Sequence, residues 1–216
     1  MASESTMRAD ARRNLQQIIA TAMRMFGESG LDVPMEAIAR RAGVGVGTLY
    51  RRFPDRGELV AAVAAHAFRA VLEDLRAASR ESASAWDALV RLLTGSENLL
   101  LTIHLAFLSP QVWTPVHAAP ESRDVHREMM GALDALVRDA QREGAIRADV
   151  GSGDVLSLVS LVLGSPLAAA DPAGRVRAQR WLRLVLDGLR ADPGSTLPGS
   201  AVTLGDLGVA ELSLRD

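Results

Sequence analysis

The side chains best suited to bind another molecule are crowded into one short helix that the sequence predicts over Gly47–Phe53. Leu49 and Phe53 are spaced i, i+4 and therefore share one face, where they can be buried. The opposite face carries two hydroxyl groups and two guanidinium groups, from Thr48, Tyr50, Arg51 and Arg52. Such a face suits a DNA major groove, because these groups donate to phosphate oxygens and arginine can pair with guanine.

A second short helix, predicted over Glu36–Ala42, comes immediately before this one in the sequence EAIARRAGVGVGTLYRRFPDR. Gly43 is expected to end it, because glycine adopts a left-handed conformation at low cost. Two short helices joined by a tight turn are typical of a helix-turn-helix. A longer helix, predicted from Arg12 to Glu28 by its apolar spacing of 3.6 residues, would support the pair.

The stretch AIARRAGVGVGTLYRRF, preceded by F-x-x-x-G and followed by PDRGELV, resembles the DNA-binding domain of the TetR family of bacterial transcriptional regulators over roughly residues 12 to 62. The resemblance implies that Val46 and Thr48 face base edges. It implies phosphate contacts for Tyr50, Arg52 and Arg56, and either kind of contact for Arg51. The predicted DNA-binding residues are Gly45, Val46, Gly47, Thr48, Tyr50, Arg51, Arg52 and Arg56.

Two positions depart from the family pattern. Gly45 stands where a serine or threonine is common, which removes one capping hydroxyl. Arg56 stands where a lysine is common, so the charge is kept while its geometry changes.

Composition and charge agree with a DNA-binding protein. Residues 1–57 hold nine arginines against six acidic residues, a net charge of +3, whereas the remainder holds fifteen arginines against twenty acidic residues, a net charge of −5. A basic region on an acidic body fits a region that binds a polyanion. The chain of 216 residues has no cysteine, which excludes disulfides and cysteine-ligated zinc, and the sequence predicts a soluble, cytoplasmic protein.

The sequence carries no catalytic or metal-binding motif, so we expect neither an enzyme nor a cofactor or metal. The four histidines, at positions 66, 104, 117 and 126, include no i, i+4 pair. Neither G-x-S-x-G nor a P-loop is present, and Gly43–Gly47 lacks the spacing of a dinucleotide loop.

The remainder of the chain is predicted to be helical, which makes the fold all-α. We divide the chain into a DNA-binding domain (1–57), a helical effector-binding and dimerisation domain (58–190) and a C-terminal tail of low order (191–216). A long helix over Asp55–Ser79 would link the first two, and one helix is predicted from Trp86 to Leu101.

The resemblance also implies a small-molecule pocket in the body, with plain core as the alternative for each candidate. Its expected walls are Phe68, Trp86, Leu100, His104, Phe107, Trp113, Met129 and Leu133. In the family the last two helices form a four-helix dimer interface, with internal core again the alternative. Here that interface would use Leu158, Leu161, Val162, Trp181, Val185 and Leu189.

These features predict a homodimeric repressor that binds a near-palindromic DNA operator and releases it when a small apolar effector binds the body. Two other functions remain open at this point. One is an activator or a regulator without an effector. The other is a helical small-molecule-binding protein whose DNA-binding head is vestigial.

Overall fold

A computed structural model of the chain describes residues 2–108, 113–165, 172–191, 194–204 and 206–207. This part of the chain contains ten helices and no strand, apart from an isolated bridge between Ile146 and Arg190, which confirms the predicted all-α class. In chain order the helices are α1 (Ala2–Ser29), α2 (Met35–Arg41), α3 (Val46–Arg52), α4 (Arg56–Glu81), α5 (Ala85–Gly95), α6 (Glu97–Leu108), α7 (Trp113–Ala118), α8 (Pro120–Arg142), α9 (Ser152–Leu163) and α10 (Pro172–Gly188).

The single helix predicted from Trp86 to Leu101 is wrong, because the chain breaks at Ser96 between α5 and α6. The Ser96 hydroxyl accepts a hydrogen bond from the Leu99 backbone N–H at 2.9 Å and donates one to Asp74 Oδ2 at 2.6 Å. Serine competes with the helical backbone in this way, so its cap begins a new helix where apolar periodicity alone would continue the old one.

The chain forms two compact units: Met1–His66 with Leu105–Arg123, and Ala67–His104 with Asp124–Asp216. In the first unit α2 packs against both α1 and α3 around Phe26, Ile38 and Leu49, which are fully buried. In the second unit α10 packs against α9 and α5 around a core of aliphatic side chains that includes Leu89, Val137, Val155, Leu182 and Leu186.

Residues 194–204, here called the C-terminal strap, bind the beginning of α9. The Val202 carbonyl accepts hydrogen bonds from the backbone N–H groups of Gly153 (3.0 Å) and Asp154 (3.3 Å), and Val202 N donates to Asp154 Oδ2 at 2.8 Å. The first N–H groups of a helix have no partner within it, so the strap supplies acceptors that α9 would otherwise lack. These bonds lie within the segment that the sequence analysis describes as a tail of low order.

An ion pair holds the preceding part of the strap. The buried Arg147 guanidinium donates to both carboxylate oxygens of Asp149, at 2.6 and 2.8 Å, and to the carbonyl of Ser195 at 2.8 Å. Asp149 also accepts from the backbone N–H of Leu197. The hydrogen bonds from Arg147 lower the pKa of Asp149 to about 2, so its carboxylate stays charged well below neutral pH.

We expect Gly153→Ala to lower the free energy of unfolding by about 1–3 kcal/mol, measured by urea unfolding at one protein concentration. A Cβ at this position would overlap the Thr203 carbonyl and lie 2.7 Å from Val202 O, so the strap must move. Gly131→Ala in α8 is the matched control: nothing lies within 4 Å of its Cβ. This control should gain about 0.4–1 kcal/mol from the reduced entropy of the unfolded chain. Equal stability of the two variants would contradict the proposed packing of the strap.

Candidate nucleic-acid interface

The turn between α2 and α3 is closed by two backbone hydrogen bonds around Gly43. Gly43 has φ 69°, and its N–H donates to Arg40 O at 3.2 Å, while Val44 N–H donates to Ala39 O at 3.0 Å. This pair of bonds is the Schellman motif, in which the left-handed residue reverses the chain at the helix end. The turn therefore fixes the direction in which α3 leaves α2.

The apolar face of α3 is fully packed. Leu49 is 0 % exposed and Phe53, which follows the helix, is 5 % exposed, as the i, i+4 spacing predicts. Ile38 and Ala39 of α2, the helix that packs against α3, are also fully buried. Burial of these side chains leaves one orientation for α3, with its polar face turned outwards.

The predicted DNA-binding residues on α3, together with Gly45 immediately before it, lie on that outer face. Val46 and Tyr50 are 42 % and 40 % exposed, and Thr48 is half-buried. Gly45, Gly47, Arg51 and Arg52 are exposed as well. The structure thus brings together two guanidinium groups, a phenol and a threonine hydroxyl on one short helix.

The Tyr50 hydroxyl donates a hydrogen bond to Glu36 Oε1 on α2, at 2.9 Å. The pKa of Glu36 is lowered first by a hydrogen bond from the Glu36 backbone N–H and then by the bond from the Tyr50 hydroxyl. The same Tyr50–Glu36 hydrogen bond raises the pKa of Tyr50. Both shifts favour a charged carboxylate facing a neutral phenol. The sequence analysis gave Glu36 no binding role, because the two residues are 14 positions apart and neither periodicity nor a motif connects them.

The side chain of Arg56, unlike those of the other predicted DNA-binding residues, is held by backbone carbonyls. Its Nη1 donates to the carbonyl oxygens of Leu31 and Val33, the latter at 2.7 Å, in the connection between α1 and α2. The side chain is half-buried there. Its contact with phosphate stays a prediction, and its contact in the structure joins the start of α4 to the helix-turn-helix.

The second unit contains a small cavity of about 30 Å³ between α4, α5, α6, α8 and α9. All eleven lining side chains are aliphatic or thioether groups: Val71, Leu75, Leu92, Leu93, Leu99, Met129, Met130, Leu133, Val155, Leu156 and Val159. Two of the predicted pocket residues, Met129 and Leu133, are among them. The cavity lacks the polar groups that orient a ligand in most small-molecule sites.

Three predicted pocket residues lie elsewhere in the second unit. Phe68 is buried with its ring centroid 4.7 Å from that of His126, and Trp86 stacks under the Arg190 guanidinium at 4.7 Å. Leu100 is half-buried on α6. The side chains of the other three candidates, His104, Phe107 and Trp113, fall outside the part of the chain that the structure describes.

Apolar side chains are exposed on α9 and α10, the helices predicted to form a dimer interface. Leu158 and Leu161 are exposed, and Val162, Trp181 and Val185 are half-buried. Leu189 is 2 % exposed and lies in the core, which was the stated alternative for this set. Val176 and Leu184, which the sequence analysis did not select, are 65 % and 64 % exposed.

Other kinds of site find no support in the described ranges. No group of three or more histidine, aspartate or glutamate side chains is placed there to bind a metal ion. Among the helices described, none combines the length and the hydropathy that crossing a bilayer requires.

We expect Arg56→Ala to lower the free energy of unfolding by about 1.5–3 kcal/mol, because it removes charged hydrogen bonds to two backbone carbonyls. Arg52→Ala is the control, since Arg52 is exposed and should change stability by less than about 0.5 kcal/mol. Guanidinium unfolding followed by circular dichroism compares the two. If Arg56→Ala were as stable as Arg52→Ala, the anchoring of α4 through Arg56 would be disproved.

Both the helix-turn-helix region and the C-terminal part of the chain match known protein families. Residues 18–63 match the family described as "Bacterial regulatory proteins, tetR family", and residues 108–191 match "Transcriptional regulator SbtR-like, C-terminal domain". Helix-turn-helix transcriptional regulators of Staphylococcus aureus are 44 % identical over 54 residues, which is 24 % of this chain. The match spans 29 % of the length of these relatives.

Solved structures extend the likeness beyond the helix-turn-helix. A transcriptional regulator of the same fold, FadR from Bacillus subtilis in complex with stearoyl-CoA, is 17 % identical with a TM-score of 0.61, covering 82 % of this chain and 100 % of that one. A TetR transcriptional regulator from Streptomyces coelicolor is 32 % identical with a TM-score of 0.62, covering 83 % of this chain and 99 % of that one. With its closed turn and exposed basic helix, this chain therefore belongs to the TetR family of DNA-binding transcriptional regulators.

Proposed function

We propose that the protein is a repressor that binds its operator as a homodimer and releases it when an apolar effector enters the second unit. The observation that carries the DNA-binding part is the exposed face of α3, with Arg51 and Arg52 free of the apolar packing that fixes the helix. Thr48 and Val46 contact base edges, Tyr50 and Arg52 contact phosphates, and Arg51 serves either purpose.

A homodimer is supported by the exposed apolar side chains of α9 and α10. Leu161, Val176 and Leu184 are each about two-thirds exposed, which is unusual for three large aliphatic residues on two helices packed together. Pairing these faces in a second copy would bury them. Two α3 helices would then read half-sites about 34–36 Å apart, one helical turn of DNA.

We expect Arg52→Ala to weaken binding to duplex DNA from upstream of the gene and to random duplex alike, because a phosphate contact carries no sequence information. The slope of log affinity against log salt should become shallower by about 2, since each phosphate contributes about 0.9 and a dimer loses two contacts. Fluorescence anisotropy at several salt concentrations gives both quantities.

Arg127→Ala is the matched control, because Arg127 forms an exposed ion pair with Asp124 on α8 and should leave DNA binding unchanged. Wild-type binding that never exceeds binding to random duplex would refute sequence-specific regulation at this site.

A reporter gene placed behind the upstream region distinguishes repression from activation. Repression predicts higher expression when the regulator is deleted, and activation predicts lower expression.

The proposed effector is a molecule with a long hydrocarbon portion. The cavity has no polar lining group, and its volume of about 30 Å³ holds little more than a water molecule. A ligand must therefore push the helices apart, and Val71 and Leu75 place α4 among those that would move. Because Arg56 begins α4 and binds the α1–α2 connection, such a movement would reach the helix-turn-helix.

The B. subtilis regulator with stearoyl-CoA provides a concrete probe, since its fold is shared and its ligand carries a saturated chain. We expect stearoyl-CoA to lower operator affinity while CoA alone has no effect. A coupling of about 1–3 kcal/mol, typical of allosteric pairs, corresponds to a loss of about five- to 150-fold.

We expect Val159→Ile to raise the stearoyl-CoA concentration that releases half of the operator by about tenfold, because one added methylene occupies space that the acyl chain would use. Val137→Ile is the control: Val137 is equally buried in α8 but does not line the cavity. Anisotropy of labelled operator during ligand titration measures the response. An identical response in wild type and Val159→Ile would exclude this cavity as the effector site.

A further inference from the structure

We propose that Glu36 is an internal competitor for DNA phosphate: it occupies the hydroxyl of Tyr50 in the free protein and thereby limits the affinity of each head for duplex DNA. This inference rests on the proposed function. It adds an affinity-determining residue on α2 that lies outside the predicted DNA-binding set.

The competition follows from the hydrogen-bonding capacity of a phenol. Tyrosine has one O–H donor, and a phosphate diester offers acceptors only. In the free protein that single donor is engaged by Glu36 Oε1 at 2.9 Å. For Tyr50 to bind a phosphate, the O–H must leave the carboxylate, so one hydrogen bond is exchanged for another rather than gained.

Charge makes the exchange unfavourable. The pKa of Glu36 is lowered by its own backbone N–H and by Tyr50, so the carboxylate is ionised at neutral pH. Once released by Tyr50, this anion would lie beside the incoming phosphate, and like charges at such distances repel. The positive charge of Arg56 favours the ionised forms of both Glu36 and Tyr50. The Nη1 atom of Arg56 itself donates to the carbonyls of Leu31 and Val33.

The position of the pair places the competition at the interface. Tyr50 is 40 % exposed on the outer face of α3, and Glu36 is exposed in the first turn of α2. Exposure of both partners means that removing the charge leaves the packed core beneath α3 unchanged.

The test is a double-mutant cycle of Glu36→Gln and Tyr50→Phe, with affinities measured by anisotropy on the upstream DNA and on random duplex. Glu36→Gln keeps an acceptor for Tyr50 and removes the charge. We expect it to raise affinity for both duplexes by about two- to five-fold per head, the range of exposed charge interactions. The gain should shrink as salt is added, because exposed charges are screened.

The cycle identifies whether the effect passes through the tyrosine. Tyr50→Phe should weaken binding several-fold more in the Glu36→Gln protein than in the wild type, because Tyr50 then binds phosphate without an anionic competitor. An equal effect of Tyr50→Phe in both backgrounds would overturn the proposal and leave Glu36 acting only through its net charge.

Glu58→Gln is the matched control, because it removes another exposed carboxylate near the start of α4 that does not act on Tyr50. If Arg52→Ala weakens DNA binding while Glu36→Gln changes it no more than Glu58→Gln does, this inference fails and the proposed function stands. If wild type shows no preference for the upstream DNA and Arg52→Ala changes nothing, the proposed function itself fails.

Discussion

The burial of Leu49 and Phe53 against α2 is the constraint on which the DNA-binding surface depends. Successive residues of a helix point about 100° apart, so turning α3 by one position would expose Leu49 and force a polar neighbour into the core. Losing the burial of one such side chain costs about 1.5–3 kcal/mol. The left-handed Gly43 fixes the entry of the chain into α3, and together these features determine which groups face outwards.

The charged groups of this region divide by what they contact. Arg41 forms an ion pair with Glu28 at 2.8 Å that joins α2 to α1, and Arg56 joins the start of α4 to the connection between α1 and α2. Arg51 and Arg52 extend from α3 into solvent. Glu36, on α2, adds an anion beside Tyr50, so the surface that would meet DNA contains a negative charge that repels phosphate.

The second unit combines a tightly held strap with a core that is not completely filled. The C-terminal strap supplies acceptors to the start of α9, and Arg147 anchors it through Asp149 and Ser195. Val155 and Val159 of the same α9 line an apolar cavity. A lining without hydrogen-bonding groups distinguishes ligands by length and shape, since no donor or acceptor is present to reject the wrong one.

The sequence by itself determined the helix-turn-helix, the face that α3 buries and the all-α class. These features follow from spacing of three and four residues and from a glycine at a helix end, which are local properties. It misjudged the break at Ser96, because a competing side-chain cap overrides periodicity. Tertiary structure alone decided the Tyr50–Glu36 bond, the anchoring of Arg56 and the strap on α9. Their partners lie 14, 23 to 25 and 48 residues apart, and such contacts leave no period in the chain.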